Sequence, residues 1–168
     1  MKTIKFRGKR IDNGEWVSGG IDMVEDKATI SWERKDAEGD LVPWFADVEP
    51  ETVTQFTGLY DANFTPIFEG DILKGTNERP NVCPSIVAYD TETAQFIGYR
   101  CSEDLSIIGD PEGMTFFHPA QWDATRKLWY FPKAVVAGNL WDIQKPETFV
   151  SSCLMVDTFA EFRKHFQG

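Results

Sequence analysis

The sequence predicts a mainly β fold, a sandwich or a small barrel, on three observations. Apolar and polar residues alternate over several short runs, the period-2 pattern of half-buried strands. Turn signals built from Gly, Pro, Asn and Asp recur between those runs at short intervals. The chain is also rich in rings, with 13 Phe, 6 Trp and 4 Tyr in 168 residues; each ring buries a large area, and aromatic side chains favour strands. Hydrophobic residues make up 42% and charged residues 26% of the chain. This globular balance supplies a core, and the length suits one domain.

In order along the chain, "TIKFRGKRI" (Thr3 to Ile11) reads as a first strand with Ile4, Phe6 and Ile11 as its apolar positions. "DNG" (Asp12 to Gly14) is a hairpin turn, because Asn and Gly tolerate positive φ. "EWVSGGID" returns as a second strand, and "KATISWE" is a third, ended by the charged loop Arg34 to Asp40. "LVPWFADVEP" runs into "ETVTQFTG", with Val53 and Phe56 as core positions, and Thr57-Gly58 ends a strand. "LYDANFTPI" is a turn, since Asp61 and Asn63 are turn formers and Pro66 excludes a central strand. Glu69-Gly70-Asp71 is a tight turn that launches Ile72-Leu73. "PSIVAYD" and "AQFIGYR" form a hairpin around Asp90 to Thr93, with Ile86, Ala88, Phe96 and Ile97 in a half-buried sheet. Residues 101–133 are broken by Pro119 and Pro132 and read as irregular, with one short helix or strand. "AVVAGNLWD" (Ala134 to Asp142) is a β run. In the tail, Phe159, Phe162 and Phe166 fall at helical spacing, and Thr158 with Glu161 makes a capping box, so a short amphipathic helix is expected. Its phenylalanine stripe packs on the β domain or, on a sharper reading, forms an interaction surface.

The net charge is −10. Five of the 17 basic residues (Lys2, Lys5, Arg7, Lys9 and Arg10) sit among residues 1–10, so the remainder carries 12 against 27 acids, or −15. Such a field repels a phosphate backbone, which makes nucleic-acid binding unexpected outside the N-terminal strand. The cysteines, Cys83, Cys101 and Cys153, are odd in number and lack CxxC spacing, so neither a disulfide framework nor a zinc motif is expected. Met1 to Arg10 is basic with no apolar run behind it, so no signal peptide is expected, and no stretch reaches the length of a membrane-spanning helix. A soluble protein of a reducing cytoplasm is the reading.

Motifs with chemistry are sparse. Glu69 and Asp71 straddle Gly70 and are the one carboxylate pair suited to acid/base work, although an acid beside Gly in a turn more commonly caps backbone N–H groups. His118 and His165 lack the ordered spacing of metal ligands. No G-x-S-x-G, G-x-G-x-x-G or G-K-[ST] occurs. No cofactor or metal is expected.

Three phrases, in order, carry a resemblance: "IKFRGKRIDNGEWVSG", "VEPETVTQFTGLYDANFTPIFEGDILKG" and "AVVAGNLWDIQKPE". The chain resembles the YopX-like proteins, a family from bacteriophages and prophages. The residues that carry the motif are Gln55, Phe56, Thr57, Gly58, Leu59, Asp61, Ile67, Glu69, Gly70, Asp71, Gly138 and Asn139. The chain departs from the pattern at Phe64, where the family has Gly, and in the length of residues 101–133 and 148–168. The resemblance implies a mainly β protein with a small SH3-like barrel, an additional N-terminal β layer and a short C-terminal helix. A single domain over 1–168 is expected, with N-terminal hairpins over 1–57, a barrel-like part over 66–147 holding the loop 101–133, and an extension over 148–168. It implies a bacterial host cytoplasm and motif residues that are structural. The expected function is that of a non-catalytic accessory protein acting through protein–protein contact, with itself or with a host or phage protein. Alternatives are a nucleic-acid-associated protein or DNA mimic, and a hydrolase using Glu69 and Asp71.

Overall fold

The computed structural model describes residues 4–77, 84–90, 94–100, 120–142, 149–150 and 155–156. The chain is mainly β and falls into two compact units, Met1–Phe56 and Thr57–Gly168.

The first unit is an antiparallel meander of β1 (Phe6–Lys9), β2 (Trp16–Val24), β3 (Lys27–Lys35) and β4 (Leu41–Val48). The Asp12–Gly14 turn forms as read: Arg10 N–H donates to the Glu15 carbonyl at 2.9 Å and Gly14 N–H to the Arg10 carbonyl at 3.0 Å. A 3₁₀ turn, Pro50–Thr52, leads into β5 (Thr54–Tyr60), whose Thr54 and Gln55 pair with Arg7 and Phe6. Ala28, Ile30, Val48 and Val53 form the core, with Phe6, Val17, Ile21 and Trp32 packed against it. The alternation seen in "KATISWE" thus reports one true inward face.

"LVPWFADV" is a full strand, β4, which the Pro in its middle hid. Val48 bridges Arg10, Ile11 N–H donates to the Asp47 carbonyl and Glu49 N–H to the Lys9 carbonyl. The backbone groups of Asp47 therefore point away from β3. So, by the two-residue repeat of a strand, do those of Phe45, Pro43 and Leu41. Pro43 lies where no ladder donor toward β3 is required, the position at which an edge strand accepts proline.

The second unit begins inside β5. It contains β6 (Pro66–Phe68), β7 (Asp71–Gly75), β8 (Ser85–Asp90), β9 (Gln95–Arg100), β10 (Gln121–Asp123), β11 (Leu128–Tyr130), β12 (Ala134–Asn139), a 3₁₀ turn Leu140–Asp142, and the short pair β13 (Phe149–Val150) and β14 (Met155–Val156). The main sheet has the order β12–β7–β8–β9, all antiparallel. Ile67, Leu73, Val87, Phe131 and Ala134 form its core, with Leu59, Phe96, Ala120 and Val136 against them.

The β8–β9 hairpin, the launch of β7 and the β12 run match the sequence reading. The SH3-like barrel is not seen. Among the described residues the four-stranded sheet is open, with β12 and β9 at its edges, and β6 pairs with β5 instead of extending that sheet. Within 101–133, read as irregular, β10 and β11 form an antiparallel ribbon, and β11 runs parallel to β5 through Trp129↔Leu59 and Tyr130↔Tyr60. The helix expected around Phe159, Phe162 and Phe166 lies outside the described residues, as do His118, His165 and the three cysteines. Among the described residues no helix is long and apolar enough to cross a membrane.

Candidate functional site

The residues singled out by the sequence, Thr57 to Asp71 with Gly138 and Asn139, meet in the second unit as a set of turns held by two buried carboxylates. Asp61 directly follows β5, with 1% of its surface exposed. One carboxylate oxygen, Oδ1, accepts the N–H groups of Asn63 and Thr65, each at 2.8 Å, and Oδ2 accepts the N–H of Val136 at 2.9 Å. Its backbone N–H donates to the Thr65 carbonyl, and Ala62 N–H donates to the Ala134 carbonyl. Asp61 therefore folds its own turn and fastens that turn to β12, 75 residues away.

Asp71, fully buried at the start of β7, does the same at the other end. Oδ2 accepts the N–H of Phe68 at 2.8 Å, and Oδ1 accepts the Nδ2 amide of Asn139 at 3.2 Å. Asn139 Oδ1 in turn accepts the Trp141 N–H at 2.9 Å and so caps the 3₁₀ turn. Gly70 completes the closure, donating to the Val87 carbonyl and accepting from the Leu140 N–H. Buried carboxylates are costly unless hydrogen-bonded, and each of these takes at least two donors.

The other motif positions have these local geometries. Gly58 has φ +88 with open space where a Cβ would stand, so backbone conformation and not crowding calls for Gly. Gly70 likewise has φ +79. Thr57 donates its hydroxyl to the Ile67 carbonyl at 2.8 Å and accepts the Leu59 N–H. Ile67 is a core residue. Gly138 lies at a register shift between β12 and β7. Gln55 and Phe56 belong to the first unit, where Gln55 pairs with Phe6 and Phe56 N–H donates to the Lys5 carbonyl.

Phe64 takes the left-handed conformation at φ +62, as a Gly would. Its ring lies 5.1 Å from that of Tyr130, and the Arg126 guanidinium stands 4.0 Å over it. Arg126 is held in turn by Asp123 at 2.9 Å. The Arg126 backbone N–H, and less so its guanidinium, hold the Asp123 carboxyl below its ordinary pKa. The β10–β11 ribbon thus seats on the Phe64 side chain, a pairing that sequence reading had no means to find.

Glu69, like Asp71, is buried. Among the described residues no group of three His, Cys, Asp or Glu side chains is placed to hold a metal ion.

The large apolar side chains that do meet solvent are elsewhere. Leu41, Trp44 and Phe45 are exposed on β4, and the cross-strand pair Trp122 and Trp129 is exposed on the ribbon, with ring centroids 5.5 Å apart.

A two-unit, mainly β protein with two buried, hydrogen-bonded aspartates in its loop motif is the class so defined. A family model described as YopX protein matches residues 5–117, well over half of the chain, and the chain belongs to the YopX family. The match includes Gln55 to Asp71 and ends before Gly138 and Asn139, which the structure nonetheless joins to the motif through Asp71. No curated protein matches the chain.

Proposed function

We propose that this protein is a non-catalytic accessory protein of phage or prophage origin, working in the bacterial cytoplasm by binding another protein or a second copy of itself, without a cofactor. The observation that supports this most is the division of labour between its side chains. The acids best suited to chemistry, Asp61, Glu69 and Asp71, are buried, and the two aspartates accept backbone and amide hydrogen bonds. Leu41, Trp44, Phe45, Trp122 and Trp129 meanwhile face water. A general acid or base must reach its substrate, whereas exposed apolar surface is what protein interfaces use.

The nucleic-acid reading is weakened by what surrounds the basic strand. Arg7 Nε donates to Thr54 Oγ1 at 3.2 Å and its guanidinium lies 4.9 Å from the centre of the Trp16 ring. Arg10 is bridged to Asp12 at 2.6 Å and to Glu15 at 3.7 Å. A DNA mimic would need an ordered row of surface carboxylates, and net charge alone does not supply one. The hydrolase reading requires Glu69 and Asp71 to be accessible.

The test is an affinity capture of the tagged chain from host-type bacterial lysate, with and without nuclease, with mass spectrometry and a mass determination of the free protein. Stoichiometric recovery of a protein that survives nuclease, or a mass that is a multiple of 19.1 kDa, is expected. Capture lost to nuclease, or a hydrolytic activity abolished in a folded Glu69→Gln variant, would overturn it.

A further inference from the structure

Beyond Ser31 the β2 strand no longer flanks β3, and among the described residues the hairpin continues as two strands alone: Trp32↔Trp44, Glu33↔Pro43, Arg34↔Val42 and Lys35↔Leu41. Two-stranded ribbons are marginal in water. This one nevertheless carries Leu41 62% exposed, Trp44 44% and Phe45 73%. Its two faces differ. Trp32, Arg34, Val42 and Trp44 share the face that continues from the core, with the Arg34 guanidinium 5.1 Å from the Trp44 ring centre. The opposite face holds Leu41, Pro43 and Phe45 in one row, at the i, i+2, i+4 spacing, where an antiparallel sheet ordinarily turns polar side chains to water. Thr29 bonded to Asp47 at 2.9 Å marks the continuation of that same face.

The edge and the charges say how the row is used. Pro43 gives the free edge of β4 no donor at its centre, and Asp47 is already bonded to Ile11, so addition of a further strand is poorly served. The side-chain face is what remains. Around it stand Glu33 and Asp47 on the face itself and Asp36, Glu38 and Asp40 in the turn beyond, against Lys35 at the end of the row and Lys27 further along β3. A second copy laid antiparallel on this row would bring its acidic turn toward Asp47, a like-charge contact. An anionic membrane or nucleic acid meets the same repulsion.

Resting on the protein-binding reading above, we propose that the Leu41–Pro43–Phe45 face of the β3–β4 ribbon docks a cationic, amphipathic segment of a partner protein. Its apolar side chains cover the row, and its Lys or Arg residues meet the surrounding carboxylates.

The test uses the full chain and a fluorescent twelve-residue peptide of alternating Lys and Leu as probe, with Lys/Ser and Glu/Leu peptides as controls, read by anisotropy. Saturable binding of the Lys/Leu peptide alone is expected, weakening as salt rises. Phe45→Ser and Leu41→Ser are expected to weaken it on the order of tenfold each, while Val24→Ser, an equally exposed change at the β2–β3 turn, leaves it intact. Circular dichroism and urea midpoints establish that each variant is folded. Equal binding by the Lys/Ser peptide, or by Phe45→Ser and Leu41→Ser, would sink the proposal. So would absence of binding, or a dimer of the free chain that Phe45→Ser dissolves, which makes a second copy the occupant. These outcomes leave the protein-binding reading standing, because capture from lysate decides it separately.

Discussion

Phe64 shows how one residue can carry an unfavourable backbone and still be worth keeping. A non-Gly residue in the left-handed region costs about 1–2 kcal/mol, and φ here is +62. The ring recovers part of that by lying between Tyr130 and Arg126, since aromatic pairs and cation–π contacts contribute about 0.5–1.5 kcal/mol each. Two replacements separate the terms. Phe64→Ala keeps the strain and loses the stack, whereas Phe64→Gly loses the stack and relieves the strain. The Gly variant is expected to be the more stable of the two by about 1 kcal/mol in urea denaturation; the reverse order would mean that strain is absent. Asp123 supplies a second test at this scale. Its carboxyl is held low, first by the Arg126 backbone N–H, then by the Arg126 side chain. A depressed carboxylate contributes stability that is present above its unfolded pKa and is lost as pH falls through the lower, folded value. The amide resonances of Thr125 and Arg126, both donors to Asp123 Oδ1, are therefore expected to titrate below the ordinary value of 3.8. Its Arg126 partner is half exposed and its donors lie in one short surface turn, so the effect is on local order and not on global stability.

At the scale of elements, the buried acids act as clips on β12. Asp61→Asn turns one acceptor into a donor. Whichever way the amide lies, it faces the Val136 N–H or the paired N–H groups of Asn63 and Thr65. A loss of about 2–3 kcal/mol is expected, because a buried donor is left facing a donor. Asp71 offers a sharper experiment. Asp71→Asn is expected to cost a similar amount. Adding Asn139→Asp restores the pattern with the charge moved to β12. The amide introduced on β7 accepts the Phe68 N–H through its oxygen and donates through its nitrogen to the carboxylate introduced on β12. That carboxylate accepts the Trp141 N–H, as the native Asn139 oxygen does. The double variant is expected to regain more than half of the loss, and a double variant no better than the sum of its parts would show the pair uncoupled. The sequence made the turns around Asp61 and Asp71 legible because their signals are local: an acid, an Asn and a Gly at turn spacing. It did not make their partners legible, since Val136 and Asn139 lie 75 and 68 residues away. β4 was missed for the opposite reason. Pro43 is a local breaker signal, and only the long-range pairing with β3 and Arg10 reveals that its missing N–H points off the ladder.

At the scale of the whole molecule, charge decides what approaches it. The chain carries −10, and the basic residues that stood out near its start are partly spoken for: Arg10 by Asp12 and Glu15, Arg7 by Thr54 and Trp16. The ion pairs of Arg10 lie within five residues and are visible in the sequence; the hydrogen bond from Arg7 to Thr54, which leaves the charge in place, spans 47 and is not. Among the described residues of 66–147 no closed barrel forms, and the sequence could not show this, since β6 is three residues long and its choice of β5 as partner is not written locally. Nucleic-acid affinity grows with the phosphates a protein neutralises and falls steeply with salt. A chain with Arg7 and Arg10 engaged and an acidic remainder is therefore expected to leave single-stranded and duplex DNA unshifted even at roughly 50 mM salt, where such binding is strongest. The measurement is a mobility shift of labelled DNA against increasing protein, repeated at higher salt. A retarded band that weakens with salt and vanishes in Arg7→Ser with Arg10→Ser would show that the engaged arginines are released to phosphate, and the protein-binding role proposed for this chain would then give way to a nucleic-acid one.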